Sequence, residues 1–186
     1  MITRGNEEYH RYRSSGQNTE LVEVVDDNDR PLCLMPLSEV HRQSLPHRSV
    51  LVLLYDAHGR LYLQKRSARK ALYPGRLDLS ASGHVRSGEA REDAALRELR
   101  EDLGIRAKRL RVMAKVPAGP DTSWEFVTLY TAGRVSEPPA PDGKEVESGI
   151  FVEPTEMDYL ARNHRDMLTP GLVHFWESGL LFPESH

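Results

Sequence analysis

An α+β fold follows from three features of the chain. Apolar residues come in short runs, such as ELVEVV, PLCLMP, SVLVLLY and RLYLQKR, each bounded by turn-forming residues. Several of these runs face one another across tight connections, DDNDR and DAHG among them, which makes hairpins rather than regular strand–helix–strand units. Helical periodicity is confined to a few segments, and the most regular lies within Gly83 to Ile105.

The whole chain narrows the classes of function. Its 186 residues suit one domain with a substantial core. Residues 1–18 read as a polar N-terminal arm, frayed or helical, and residues 19–186 as a single domain without internal repeats. The formal net charge of −3 gives no basic footprint for nucleic acid. The lone cysteine, Cys33, excludes an internal disulfide framework and fits a reducing compartment. No apolar run approaches the roughly 20 residues needed to span a bilayer. The first residues carry no apolar signal segment, so a cytoplasmic location is expected.

In chain order, Glu20 to Val25 alternates as a half-buried strand. Asp26 to Arg30 turns the chain, and PLCLMP returns with Cys33 expected in the core. Ser38 is expected to cap a short helix ending at Arg42. Ser49 to Tyr55, the most apolar run, is the central strand, and Arg60 to Arg66 pairs back across Asp56 to Gly59. The basic residues Lys65, Arg66, Arg69 and Lys70 stand at the end of that strand. Tyr73-Pro74-Gly75 turns, and Leu77 to Ala81 makes a short strand leading to Gly83. Beyond the long helix, Ile105 to Val116 and Trp124 to Val135 read as two strands, and EPPAPDGK as a loop followed by Glu145 and Glu147. Gly149 to Val152 closes the strands. Pro154 and Thr155 open a helix near Glu156 to Arg162, and Pro170 to Leu180 forms a last one.

The helix within GHVRSGEAREDAALRELREDLGI carries the chemistry. Glu98 lies three residues before Glu101 and four before Asp102, so three carboxylates share one face, while Ala95, Leu96, Leu99 and Leu103 form the adjoining apolar face. Crowded like charges repel at this spacing, and a hard divalent cation such as Mg²⁺ is the natural counter-charge. Gly83 and Gly88 permit close approach and unusual backbone geometry in the preceding loop. Arg97 stands one turn before Glu101 and can orient it.

The spacing of Gly83, Glu89, Arg97, Glu98, Leu99, Glu101, Asp102, Gly104 and Ile105 resembles the Nudix box, with Asp102 where the family usually carries Glu. The resemblance implies a Nudix-type α/β/α sandwich with mixed β-sheets. It implies a hydrolase that cuts the pyrophosphate bond of a nucleoside diphosphate linked to another moiety, or of a nucleoside di- or triphosphate. Gly83 (through its carbonyl), Glu98, Glu101 and Asp102 would hold Mg²⁺, or Mn²⁺ in its place. Glu98 would be ligand or general base, Glu89 and Arg97 would orient the helix face, and Glu145 or Glu147 would be the alternative base. Arg48 and Arg66 would meet substrate phosphate. The partner implied is a small-molecule diphosphate, and homodimers are frequent in the family.

The order of LPHRSVLVLL, QKRSARKALYPGRLD and SGHVRSGE is similar to the isopentenyl-diphosphate isomerase-like branch. True isomerases of that branch carry a catalytic cysteine just before the Gly-His pair and metal-binding histidines upstream. Here the cysteine position holds Ser82, the Arg97-Glu98 pair is intact, and His47 and His84 look like remnants of that metal site. Isomerisation and a catalytically weak nucleotide-binding regulatory module are the alternative readings. Residues 117–123 and 136–148 are expected to shape the substrate pocket, and Tyr73, Trp124, Phe126 and Phe151 are candidates for stacking on a base.

Overall fold

In the computed structural model, which describes residues 20–70 and 72–182, β1 (Leu21–Val25) and β2 (Pro31–Pro36) form the expected hairpin. The Asp26 carboxylate accepts the backbone N–H groups of Asn28 and Arg30 at 2.9 Å, which fixes the turn. Residues 1–18, read as an arm, lie outside the described part. A short helix, α1 (Leu37–Arg42), follows with Pro36 in the cap position and Ser38 inside the first turn, so Ser38 is not the cap. Cys33 is exposed, because among the described residues β2 pairs only with β1 and its first four residues face solvent. The alternation of PLCLMP marks a strand without showing whether anything covers it.

β3 (His47–Tyr55) is the centre of the sheet. It runs parallel to β8 (Glu125–Arg134) and antiparallel to β6 (Ala81–His84). The expected β3–β4 hairpin touches only at Tyr55 and Leu61. From there β4 (Leu61–Arg66) diverges to pair with β5 (Leu77–Asp78) and β9 (Val146–Val152). β7 (Arg111–Val116) pairs with β8. The strand expected from Ile105 is therefore shorter, and that from Gly149 longer, than the apolar pattern alone indicates. Leu77 to Ala81 splits between β5 and β6.

Successive residues of β3 point to opposite faces, and each face is covered by helix. Leu51 and Leu53, with Leu61, Leu63, Val127 and Leu129, pack under α3 (Pro154–Asn163) and α4 (Pro170–Glu177) through Met157, Ala161, Leu172 and Phe175. Val50, Val52 and Leu54 instead meet Ala94, Ala95, Leu99 and Leu103 of α2 (Arg91–Leu103). Each leucine fully buried in these layers contributes about 1.5–3 kcal/mol. The result is an α/β/α sandwich around a mixed sheet, as expected. Among the described residues, no helix is long and apolar enough to cross a membrane.

Candidate active site

The site forms where β6 delivers the chain to the loop before α2. Val50 pairs with Gly83, so position 83 faces α2, whereas Ser82 and His84 face the other side with Leu51 and Ser49. A Cβ at Gly83 would overlap the Glu98 carboxyl group, so glycine lets the helix carboxylate lie against the strand. Gly88 then turns the loop with φ at +75°. Gly104 ends the helix in the left-handed conformation at φ +70°.

The box residues converge. Arg97 is the hub: it donates to both oxygens of Glu89 at 2.8 and 2.9 Å, to the His84 carbonyl at 3.0 Å and to Glu98. Its contact with Glu101 is longer, 3.6 Å, so Glu101 is not its chief partner. Asp102 is only 4% exposed, and its carboxylate accepts the Ser82 N–H at 3.5 Å. Burial, reinforced by the Glu98 charge, pushes the Asp102 carboxyl up to about 8. Burial likewise raises Glu98, against the pull of Arg97. The Glu101 side chain, 46% exposed, faces solvent beside Arg86. Two carboxyl groups whose charge is suppressed by burial and mutual repulsion, with a third at the rim, fit a divalent cation of the hard, oxygen-seeking kind. Leu96, expected on the packed face, is half-exposed, and Ala94 takes its place in the core.

A second group of ligating atoms adjoins the first through the Gly83–His84 step. His41 of α1, His47 of β3, His84 of β6 and Glu125 of β8 bring one ligand atom each within 4.8 Å of one another. The parallel register sets His47 beside Glu125. The Glu125 carboxylate lies 3.5 Å from His84 Nε2 and 3.9 Å from His47 Nε2, and His41 Nε2 lies 3.3 Å from His84 Nε2. His47 Nδ1 meets the Leu45 carbonyl at 2.9 Å, which leaves Nε2 buried without a hydrogen-bond partner among the described residues. Burial holds the His47 imidazole down to about 4, in the neutral form that ligates metal. Burial works against protonation of His84 too, but Glu125 outweighs it and raises that imidazole. A buried, unpartnered imidazole nitrogen among two further imidazoles and a carboxylate fits a metal ion that takes nitrogen and oxygen ligands.

The remaining sequence candidates divide. The Glu145 and Glu147 carboxylates at the start of β9 are held by Lys70 and, at 2.8 Å, by Lys65. The Asp142 N–H donates to the Asp102 carbonyl at 3.2 Å and the Asp142 carboxylate accepts the Glu145 N–H at 2.9 Å, so Glu145 borders the site. Arg66 donates to Asp78 at 3.0 Å and to the Leu72 carbonyl at 3.1 and 3.2 Å. Arg48 stands apart: it follows His47 on β3 and turns to Glu23 and Asp29 of the β1–β2 hairpin. Ser82 Oγ accepts from the buried Gln64 Nε2 at 3.5 Å. His41 and Glu125 were missed as site residues. The available signal was local for neither: His41 follows the buried Val40 on a short helix, and Glu125 reaches the cluster only through strand pairing.

The chain is similar to known proteins in sequence and in fold. The family model described as NUDIX domain matches residues 45–170. An uncharacterized Nudix hydrolase of Pseudomonas aeruginosa is 43% identical over 141 residues, which cover 75% of this chain and 82% of that protein. An isopentenyl-diphosphate Delta-isomerase of Nocardia farcinica is 33% identical over 164 residues, covering 84% and 92% respectively. A crystal structure from Deinococcus radiodurans superposes with a TM-score of 0.75 at 24% identity, covering 86% of this chain and 98% of that one. The NUDIX domain of Shewanella oneidensis NrtR, solved with ADP ribose, gives a TM-score of 0.55 at 16% identity and covers 78% and 97%. These two likenesses speak for the fold alone.

Proposed function

The chain belongs to the Nudix family and is a pyrophosphohydrolase, and we propose that it cleaves, with Mg²⁺ or Mn²⁺, a nucleoside diphosphate linked to a second moiety. The observation that carries this reading is the placement of Glu98 and Asp102 against the Gly83 strand end, with Arg97 tying Glu98 and Glu89 together and Glu101 on the exposed rim of the same helix face. These carboxylates and the Gly83 carbonyl would hold divalent metal ions, which would supply positive charge for the diphosphate oxygens and acidify water. The chain's own part is to aim the carboxylates. Arg97 holds Glu98 in one orientation, and Glu98 accepts the proton of the attacking water, contributing about 10²–10⁴-fold. Glu145 is the alternative base, once Lys70 releases it. Arg66, next to Lys65 at the end of β4, is the candidate for contact with substrate phosphate. The His41, His47, His84 and Glu125 group would hold a second ion, beside the first.

That histidine group, with the Nocardia relative, favours a second reading as an isomerase of allylic diphosphates. Ser82 argues against it, because a hydroxyl does not replace a thiol as proton donor and acceptor at neutral pH. Phosphate release from a panel of nucleoside diphosphates, sugar nucleotides, ADP-ribose, dinucleotides and coenzyme A, with and without Mg²⁺, tests hydrolysis. Metal-dependent cleavage of a nucleoside-linked member supports the proposal. No cleavage across the panel, with isopentenyl diphosphate isomerised in an NMR assay, would replace it with the second reading.

A further inference from the structure

Trp124 stands in a backbone conformation that bulky residues rarely adopt. Its φ is +63°, and that of Ser123 before it is +54°. Two consecutive left-handed residues without glycine persist only where their surroundings hold them. The Trp124 N–H donates to the Gly119 carbonyl at 2.8 Å, and its carbonyl accepts the His47 N–H at 3.2 Å. The loop itself is knotted on the buried Thr122, whose hydroxyl accepts the Gly119 N–H at 3.0 Å and lies 3.3 Å from the Pro117 carbonyl. The chain thus fixes Trp124 one residue before Glu125 and against His47, two members of the histidine group.

The residue is nevertheless 40% exposed. The other candidate rings are engaged or turned away. Phe151 packs edge-on against Tyr62 at 5.1 Å, with Arg60 over its ring at 5.8 Å, and Tyr73 lies under Arg76 at 5.4 Å. Phe126 pairs in register with Arg48 on the α2 side of the sheet and is half-buried there. Trp176 meets Phe182 at 6.0 Å. Tyr159 is exposed too, but on α3 beside His164. Among the described residues, Trp124 is the exposed aromatic that the backbone ties to the site.

We propose that Trp124 is the base-binding residue of the site, a platform on which the nucleobase of the substrate stacks while the diphosphate lies at the carboxylates. This rests on the nucleotide reading above. A large, rigid aromatic held at a fixed place offers a π-face at little cost in conformational freedom, and stacking tolerates any base.

The test uses the full chain carrying Trp176→Phe, in which Trp124 is the remaining tryptophan. ADP-ribose, ADP and CDP should quench its fluorescence in the presence of Mg²⁺, and inorganic pyrophosphate, which has no base, should not. Trp124→Gly separates a binding role from a structural one, since glycine suits the positive φ. That variant should keep or raise the melting temperature while KM for the nucleotide rises roughly tenfold and kcat changes little. Nucleotide turnover without quenching, or Trp124→Gly with unchanged KM, overturns the proposal and leaves the hydrolase reading standing. If the wild-type chain neither binds nor cleaves any nucleotide, both fall together.

Discussion

Arg97 shows how much one side chain carries. Its side chain is 10% exposed, and its guanidinium compensates Glu89 and Glu98, whose side chains are 17% and 12% exposed. These neighbours hold its own proton more firmly than usual, although burial alone would loosen it. Removing one partner of such a group strands the other charges, a cost of about 3–5 kcal/mol, far above that of a surface pair. Arg97→Ala should therefore lose about 3 kcal/mol in denaturant unfolding and most activity. Arg97→Lys should recover only part of either, because an ammonium group does not match the fork geometry. A variant as stable as wild type would show that the network is not structural. Asp102 makes a complementary point. The shorter acid is set deep against the Ser82 N–H, so its reach is made up by the approach of α2 to β6, for which Gly83 leaves room.

At the scale of elements, what was legible depends on how far apart in sequence the partners lie. The carboxylate face of α2 is local, because spacings of three and four residues on a helix fix neighbours without knowledge of the fold. The histidine group is not local: α1, β3, β6 and β8 each supply one ligand, and the parallel β3–β8 pairing that joins His47 to Glu125 leaves no mark in composition. Cys33 was misplaced for a related reason, since alternation marks a strand but not which strands become edges. The histidine group has a pH signature. His47 is held at about 4 in the folded chain against an ordinary value of 6.5. Between those values the unfolded chain takes up a proton that the folded one refuses. Stability from this group is therefore full above pH 6.5 and lost as pH falls toward 4. Metal-free wild-type protein should lose up to about 3 kcal/mol more than His47→Gln over that interval, measured by chemical unfolding at several pH values. His84, raised by Glu125, runs in the opposite sense, so the difference between the two proteins is the quantity to read.

For the whole molecule, the sandwich places helix on both faces of one mixed sheet, and the site lies where β6, the β3–β8 pair and α2 meet. The α+β class was readable from the short runs and turns. The sheet order was not, because the β3–β4 hairpin opens after one residue pair and β4 joins β9, far along the chain. The box positions, by contrast, stand together as their spacing requires. The measurement that bears most directly on the account compares Glu101→Gln with wild type in Mg²⁺-dependent nucleotide turnover, with the melting temperature of each recorded. The Glu101 side chain is 46% exposed and takes no large part in the core. Its replacement should leave the melting temperature within a few degrees of wild type and lower kcat at least about 10²-fold, the size expected when a group that stabilises charge in the transition state is lost. Wild-type turnover by the Glu101→Gln protein would contradict the assignment of the α2 carboxylates as the metal-binding, catalytic face.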